Sequence, residues 1–247
     1  PRTPNMTMLS VNLNKIAWLR NSRGRDYPNV VEFAERLIGL GVRGITVHPR
    51  PDERHITRQD VLDLSEFLKY QPWVELNIEG YPSEEFLDLV MSVEPAQCTL
   101  VPDTPGQLTS DHGWEVGKNA ELLKGVLDNI HSAGIRSSLF LDPVPAFVDD
   151  VLIVGAKRIE LYTEEFASSF ATENEEKVLE AFANTASRAT ELGIGINAGH
   201  DLDLRNLGRF LMIPNILEVS IGHALIVECL EQGVEKVVSQ YLAITSS

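Results

Sequence analysis

The chain has 247 residues, a hydrophobic fraction of 43% and a formal net charge of −15. This length suits a single α/β barrel, and the apolar content is sufficient for one large core, which excludes a disordered chain. The strong negative charge would repel DNA or RNA on average, so we expect no nucleic-acid partner. No apolar run approaches the ~20 residues of a membrane span and no signal-peptide pattern opens the sequence, so we expect a cytoplasmic protein without a membrane partner.

Short β-rich runs alternate with longer amphipathic stretches along the whole chain. The β-rich runs predict strands at Met8–Asn14, Val42–His48, Val74–Glu79, Gln97–Pro102, Arg136–Asp142, Arg158–Thr163, Gly195–His200 and Glu218–Gly222. Apolar spacings of three and four residues predict helices at Val30–Leu40, Arg58–Tyr70, Glu84–Val93, Lys118–Ala133, Ala146–Val154, Glu173–Leu192, Leu204–Leu211 and Ala224–Tyr241.

Eight such β-then-α units predict the architecture. In a chain of this length they favour a TIM (β/α)8 barrel, formed as a single domain by residues 1–247. An open doubly wound sheet is the alternative, although the GxGxxG turn that usually follows its first strand is missing. Two loops stand out, Asp103–Gly117 after strand four and Glu164–Thr172 after strand six. Long loops on this side of a barrel often act as lids.

Several predicted strands carry polar residues on one face. These residues are Ser10, Asn12, Asn14, Thr46, His48, Glu75, Asn77, Glu79, Glu160, Glu218 and Ser220. Helices cover the outside of every strand in this fold, so the apolar face must pack outward and the polar face must point into the barrel. Burying these groups without partners would cost several kcal/mol each, so they form either a satisfied network or a site. For Glu75 alone we favour the network.

The polar set as a whole favours a site, because many of its members fall at or just past the C-terminal ends of strands. They are Asn12, Asn14, His48, Arg50, Glu79, Glu160, His200 and His223. Active sites of TIM barrels lie on that face. We therefore expect an active site at this mouth of the barrel.

The segment THPRPDERHIT places His48 and Arg50 directly after strand two. An imidazole can exchange a proton near neutral pH, and a guanidinium suits a phosphate. We interpret Asp52, Glu53 and Arg54 as ordinary charges of a solvated loop that pair among themselves.

Glu79 ends strand three in LNIEGY. A carboxylate in a partly dry barrel mouth would have a raised pKa and could act as a base. The alternative is that Glu79 forms a salt bridge with a nearby arginine.

Two Gly-His turns, Gly199–His200 and Gly222–His223, follow strands seven and eight. The loops after these strands and the next helix N-terminus form the common phosphate site of such barrels. Arg20 and Arg23 follow strand one and are predicted either to close over a second anion or to be exposed loop residues.

Seven segments, taken together, carry a resemblance to a known family. They are VNLNKIAWLRNSRG, GITVHPRPDERHIT, LNIEGYP, CTLVPDTPGQLTS, RIELYT, GIGINAGHDL and EVSIGHALI. In order and spacing they resemble the pyridoxine 5′-phosphate synthase family over about residues 8–242. The resemblance implies a transferase that condenses 3-amino-2-oxopropyl phosphate with 1-deoxy-D-xylulose 5-phosphate to give pyridoxine 5′-phosphate, phosphate and water. It also implies that the enzyme uses no metal and no organic cofactor, and that it is a homo-octamer.

The resemblance also implies roles for residues. His48 and Glu79 match proton acceptors, His200 matches the proton donor, and Glu160 is a candidate for transition-state support. Positions matching the aminoketone phosphate site are Asn12, Arg23, Gly222 and His223, and those matching the deoxyxylulose phosphate site are Arg50, His55 and Thr109. Thr109 lies in the long loop after strand four, which resembles the closing lid of the family.

Two positions depart from the family pattern. Asn14 and Lys15 stand where many members have an Asp-His pair that contacts the sugar phosphate, and we expect Asn14 and Lys15 to keep a substrate contact there. Asp201 stands where many members have a substrate-binding glycine beside the donor histidine. A carboxylate aimed at a bound phosphate would weaken binding, so we predict that the Asp201 side chain turns away from it.

Two rival functions stay open at this stage. One is a metal-dependent barrel enzyme with His48, His200, His223 and Glu79 as ligands, although no HxH or HExxH spacing supports it. Full activity after exhaustive chelation would exclude that rival. The other is a non-catalytic phosphosugar-binding protein, which a turnover assay would separate from an enzyme.

Overall fold

The structure is a computed structural model that describes residues 6–247, so residues 1–5 of the predicted domain lie outside the described residues. Eight parallel strands pair in chain order and close into one barrel, which confirms the predicted TIM fold. The strands are β1 Met8–Asn12, β2 Gly44–Val47, β3 Glu75–Gly80, β4 Gln97–Leu100, β5 Arg136–Leu141, β6 Arg158–Tyr162, β7 Gly195–His200 and β8 Ile216–Ile221.

Helices surround the barrel. Their bounds are α1 Asn14–Asn21, α2 Val30–Gly39, α3 Arg58–Leu68, α4 Glu84–Val93, α5 Ala120–Ser132, α6 Pro145–Val154, α7 Glu164–Ser169, α8 Glu175–Glu191, α9 Leu207–Phe210, α10 His223–Gln232 and α11 Val234–Thr245. A short 3₁₀ turn, Gly117–Asn119, leads into α5. Within residues 6–247, no helix combines the length and apolar character needed to cross a membrane.

The prediction of one continuous helix at Ala224–Tyr241 is wrong. The structure divides it into α10 and α11 at Gly233, whose φ of 90° is incompatible with a continuing right-handed helix. Apolar spacing persists across Gly233 because both helices bury one face, so periodicity alone does not reveal the break.

Three smaller predictions also need correction. Asn14 does not end strand one but begins α1, a helix that the sequence did not reveal because only Ile16 and Ala17 are buried in it. The predicted loop after strand six begins with α7, held by the buried ring of Phe166. The predicted helix Leu204–Leu211 shortens to the single turn α9.

The barrel interior is polar, as the alternation predicted. The Oγ of Ser10 lies 2.7 Å from the Oγ1 of Thr46, and the Thr99 hydroxyl donates to Asn77 Oδ1 at 2.9 Å. Neighbouring residues of the same strands, such as Val11 and Ile78, are fully buried under the helices. Hydrogen bonds between strands therefore satisfy these four side chains in the middle of the barrel.

A charged network fills the N-terminal end of the barrel. Arg136 forms an ion pair with Glu75 at 2.5 Å and donates from Nε to Gln97 Oε1 at 2.9 Å. Arg158 donates to Asn197 Oδ1 at 3.1 Å and lies 3.5 Å from the Glu218 carboxylate. The network interpretation of Glu75 is confirmed. The C-terminal mouth is the end of the barrel that lacks these guanidinium groups.

Strand packing also depends on Gly44, which faces Ser10 across the β1–β2 pair. A Cβ at Gly44 would lie 2.9 Å from the Ser10 Cα, a backbone atom that cannot move away easily. We expect Gly44→Ala to lower the free energy of unfolding by about 1–3 kcal/mol. The control is Gly125→Ala in α5, where a Cβ meets nothing within 4 Å and helix propensity should add about 0.5–1 kcal/mol. Urea unfolding followed by circular dichroism measures both, and equal stability of the two variants would contradict this packing.

Candidate active site

The C-terminal ends of the strands bring three predicted catalytic side chains to one mouth. His48 directly follows β2 and is 5% exposed. Glu79 is the penultimate residue of β3, and His200 is the last residue of β7. Burial is the main cause of the shifted pKa of His48 and of Glu79, and the charge of His200 acts on both. His200 therefore lies close enough to the other two side chains for its charge to act on both.

The backbone at His48 is held by a relay of asparagines. The His48 N–H donates to Asn14 Oδ1 at 3.0 Å, and the Asn14 N–H donates to Asn12 Oδ1 at 2.8 Å. This relay joins the start of α1 to the end of β2. The Asn14 side chain thus has a structural contact that the sequence did not predict.

The imidazole of His48 is uncharged at neutral pH. Burial, followed by the charges of Arg50 and His55, lowers its pKa well below the usual range. A neutral imidazole keeps one ring nitrogen with a free lone pair, which is the group that general base catalysis needs.

The pKa of the Glu79 carboxyl lies near neutral pH. Burial raises the pKa of its carboxyl to about 7, the negative charges of Asp103 and Glu218 add to this effect, and His200 opposes it. A carboxyl with such a pKa can both accept and return a proton under physiological conditions. The predicted salt-bridge alternative for Glu79 has no supporting ion pair within residues 6–247.

Glu160 lies buried beside this carboxyl. Burial and then the neighbouring charge of Glu79 raise its pKa well above the usual range. Its carboxyl occupies the space that a side chain at Gly199 would need, because a Cβ there would collide with Glu160 Oε1. Gly199 therefore gives Glu160 room at the barrel axis.

His55 is buried behind His48, with their ring centroids 6.5 Å apart. Burial, Arg50 and Arg54 lower its pKa to about 4, so the ring is neutral. Its Nδ1 accepts a hydrogen bond from the Ile56 N–H at 2.8 Å, which places the ring proton on Nε2. That N–H can donate to an anion, which is consistent with the predicted phosphate contact.

Arg50 has a partner that the sequence analysis missed. Its Nη2 donates to Asp103 Oδ2 at 2.8 Å, and the Ser110 hydroxyl donates to the same oxygen at 2.7 Å. The other oxygen, Oδ1, is buried without a hydrogen-bond partner within the part of the chain that the structure describes. Asp103 follows β4, and no local pattern marks it because Arg50 lies 53 residues away along the sequence.

These contacts fasten the loop after β4 over the mouth. Arg54, the predicted loop cation, pairs with Asp52 at 2.8 Å as expected and also donates to the carbonyls of Gln107 at 2.8 Å and Leu108 at 3.0 Å. On the opposite side, Thr109 Oγ1 lies 3.1 Å from His200 Nε2. The loop thus connects the basic segment after β2 to the candidate donor at the end of β7.

The strand-eight turn lies beside Asn12. A Cβ at Gly222 would approach the Asn12 Cβ to 3.0 Å, so the close approach favours glycine. His223 is the first residue of α10 and is exposed, and the free N–H groups of that helix end make a suitable anion site. Lys15 is exposed with Nζ 5.4 Å from the Trp18 ring centroid.

The anion role considered for Arg20 is not supported. Arg20 forms a bidentate ion pair with Asp60, at 2.5 Å and 2.8 Å, and Asp60 also belongs to the capping box that starts α3 with Thr57. Arg20 therefore fastens α1 to α3. Arg23 is exposed in the turn that follows α1, and its phosphate contact stays a prediction.

A cleft of about 400 Å³ opens beside the mouth. Its lining includes His48, Arg50, Asp103, Tyr81 and Phe86, so it meets the mouth at His48. Within residues 6–247, no group of three or more His, Cys, Asp or Glu side chains is arranged to hold a metal ion.

Comparisons with known proteins identify the family of the chain. A family model described as pyridoxal phosphate biosynthesis protein PdxJ matches residues 9–247. The pyridoxine 5′-phosphate synthase of Bacteroides thetaiotaomicron is 53% identical, over 96% of this chain and 98% of that protein. The pyridoxine 5′-phosphate synthase of Leptospira biflexa is 49% identical, over 98% of both chains.

Solved structures show the same fold at low identity. The 3-keto-L-gulonate-6-phosphate decarboxylase of Vibrio cholerae superposes with a TM-score of 0.66 at 8% identity, covering 97% of both chains. Thiamine phosphate pyrophosphorylase of Pyrococcus furiosus gives 0.63 at 12% identity, covering 98% of this chain and 96% of that one. The full-length family match and these identities lead to one conclusion: the chain belongs to the pyridoxine 5′-phosphate synthase family.

Proposed function

We propose that the protein condenses 3-amino-2-oxopropyl phosphate with 1-deoxy-D-xylulose 5-phosphate and closes the pyridine ring of pyridoxine 5′-phosphate. The observation that carries the proposal is the pairing of two proton carriers at one mouth. Burial keeps the His48 imidazole neutral and sets the pKa of the Glu79 carboxyl to about 7. An imine-forming condensation followed by dehydration needs such groups on both sides of one substrate.

In this proposal His48 and Glu79 accept protons and His200 donates one. The amine attacks the ketone carbon, water leaves as the imine forms, and proton removal from carbon gives an enamine. Phosphate and further water then leave as the ring closes. His200 would protonate a departing hydroxyl, and Glu160, held next to Glu79, would support the charge that develops in the transition state.

Two phosphates require two anion sites, and the proposal assigns one to each end of the mouth. The aminoketone phosphate would lie at the N-terminus of α10, near Gly222, His223 and Asn12, with Arg23 closing over it. The deoxyxylulose phosphate would lie at the β2 loop, near Arg50, His55 and Thr109. Arg50 keeps donors for it, because a guanidinium has five N–H groups and Asp103 engages one side of it. Asn14, Lys15 and the backbone of Asp201 would complete the substrate contacts.

Further parts of the proposal rest on family resemblance. They are the transferase class, catalysis without a metal or organic cofactor, a cytoplasmic location and a homo-octamer. Apolar side chains exposed on α1 and α10, such as Leu19 and Leu230, support contacts between subunits.

The direct test is incubation of the purified protein with both substrates, with pyridoxine 5′-phosphate followed by its absorbance. We expect product from the parent chain and a loss of about 10²–10⁴-fold in kcat for His48→Ala, because a buried general base is removed. His112→Ala is the matched control, since His112 is exposed and pairs only with Asp111 among the described residues. Absence of product from the correctly folded parent would contradict the proposed function, and activity lost on exhaustive chelation would favour a metal enzyme.

The raised pKa of Glu79 predicts a trade-off between stability and activity. The folded carboxyl holds its proton up to about pH 7, above the ordinary glutamate pKa of 4.5. Folding stability therefore falls as pH rises through that window, because the folded state keeps a proton that the unfolded state has lost. Glu79→Gln removes this penalty, so we expect it to raise the free energy of unfolding by roughly 1–3 kcal/mol at about pH 8 but not at about pH 4.5.

The same variant should lose most of its activity, since an amide cannot accept the proton. Urea unfolding at the two pH values, beside the exposed Glu66→Gln as control, measures the stability difference. A stability gain at the lower pH equal to that at the higher pH would contradict the assigned pKa.

A further inference from the structure

The candidate donor His200 has a carboxylate partner that its family resemblance does not supply. Its Nδ1 lies 2.9 Å from Asp201 Oδ2, and its Nε2 lies 3.1 Å from the Thr109 hydroxyl. Asp201 is the residue that stands where many members have glycine, and glycine has no side chain to make this contact.

The contact depends on an unusual backbone. His200 has a φ of 95°, and the Leu202 N–H donates back to the His200 carbonyl at 3.0 Å. Consecutive side chains of an extended strand point to opposite faces, so only such a turn lets His200 and Asp201 meet. A non-glycine residue at positive φ is strained and persists only where the surrounding structure enforces it.

The chemistry of the pair fixes where the proton is. A carboxylate only accepts hydrogen bonds, so the hydrogen bond to Asp201 requires a proton on Nδ1. The hydrogen bond from His200 is the main cause of a lowered pKa of Asp201, which therefore carries its charge at neutral pH. A negative charge in contact with an imidazole favours its protonated form, in which Nε2 also carries a proton.

We propose that Asp201 is a positioning residue that holds His200 in its protonated form, with Nε2–H facing the Thr109 hydroxyl at the mouth until a substrate hydroxyl takes the place of Thr109 and receives the proton. The proposal rests on the proposed function. During dehydration the Nε2 proton would pass to the hydroxyl oxygen as its carbon–oxygen bond breaks, and water would leave. His200 would remain neutral with Nδ1–H still donated to Asp201, ready to be reprotonated by solvent.

Other charged and titratable groups also face His200. They are Glu79 from β3, His48 after β2, Tyr162 on β6 and His223, which faces Asp201 from α10. His48 is neutral and Glu79, with a pKa of about 7, is only partly ionised near neutral pH, whereas the lowered pKa of Asp201 keeps its carboxylate fully charged. Asp201 is also the carboxylate in direct hydrogen-bond contact with the ring.

Three variants separate the charge of Asp201 from its hydrogen bond. Asp201→Asn keeps an oxygen that can accept from Nδ1–H but removes the charge. Asp201→Gly removes both, and Asp201→Glu keeps the charge. The matched control is Asp128→Asn on α5. This exposed aspartate pairs with Lys124 on the same helix and is not one of the residues that form the mouth.

The first readout is the protonated fraction of the His200 ring in the full-length protein, followed over a pH series by NMR of ¹⁵N-labelled histidines and assigned with His200→Gln. At a fixed pH near neutrality we expect this fraction to fall in Asp201→Asn and in Asp201→Gly, and to stay at the parent level in Asp201→Glu and Asp128→Asn. An unchanged protonated fraction in Asp201→Asn would overturn the proposal, whether or not the protein turns over substrate.

The second readout is the pH profile of kcat with the two proposed substrates. We expect a fall of about tenfold or more in Asp201→Asn, with the basic limb displaced to lower pH and KM changed little. A merely structural role would leave the limb in place. Failure of the parent to turn over would count against the proposed function alone, because the NMR titration reports on the His200–Asp201 pair without any substrate.

Discussion

Burial of carboxyl groups inside the barrel is the constraint on which the rest of the structure depends. Helices cover the outer faces of all eight strands, so the polar face of each strand can only point inward. At the N-terminal end Arg136 compensates Glu75, and its hydrogen bonds lower the pKa of that carboxyl. Among residues 6–247, no guanidinium forms an ion pair with Glu79 or Glu160 at the mouth, and burial raises the pKa of both. The same desolvation that would destabilise a purely structural barrel here gives the Glu79 carboxyl a pKa of about 7.

The loop after β4 connects this chemistry to closure of the site. Through Asp103 and Ser110 it contacts Arg50, and through Thr109 it contacts His200, so one segment touches both ends of the mouth. A loop in this position excludes water, which strengthens every electrostatic interaction beneath it. A substrate phosphate bound at Arg50, as proposed, would share that guanidinium with Asp103, so substrate binding and the position of the loop would be coupled.

The sequence predicted the features of the fold and the site that depend on local residue patterns. Alternation identified the inward polar face, and the strand ends correctly located His48, Glu79 and His200 at one mouth. The sequence pattern could not predict contacts that form only when the barrel closes. Arg136 pairs with Glu75, for example, because the pairing of three strands brings together two residues that are 61 positions apart. Asp103 was missed for the same reason. The break at Gly233 was missed because the burial pattern continues through it, and α1 because it buries too few residues to show a period.

A crystal structure of the protein soaked with 1-deoxy-D-xylulose 5-phosphate tests the central claim most directly, namely that distant polar side chains form one substrate chamber. We predict that the sugar lies at the barrel mouth, with its carbon chain in contact with His48, Glu79 and His200. Its phosphate should lie on Arg50 and His55. Density for the sugar only in the neighbouring cleft, at Tyr81 and Phe86 and out of reach of Glu79 and His200, would contradict it.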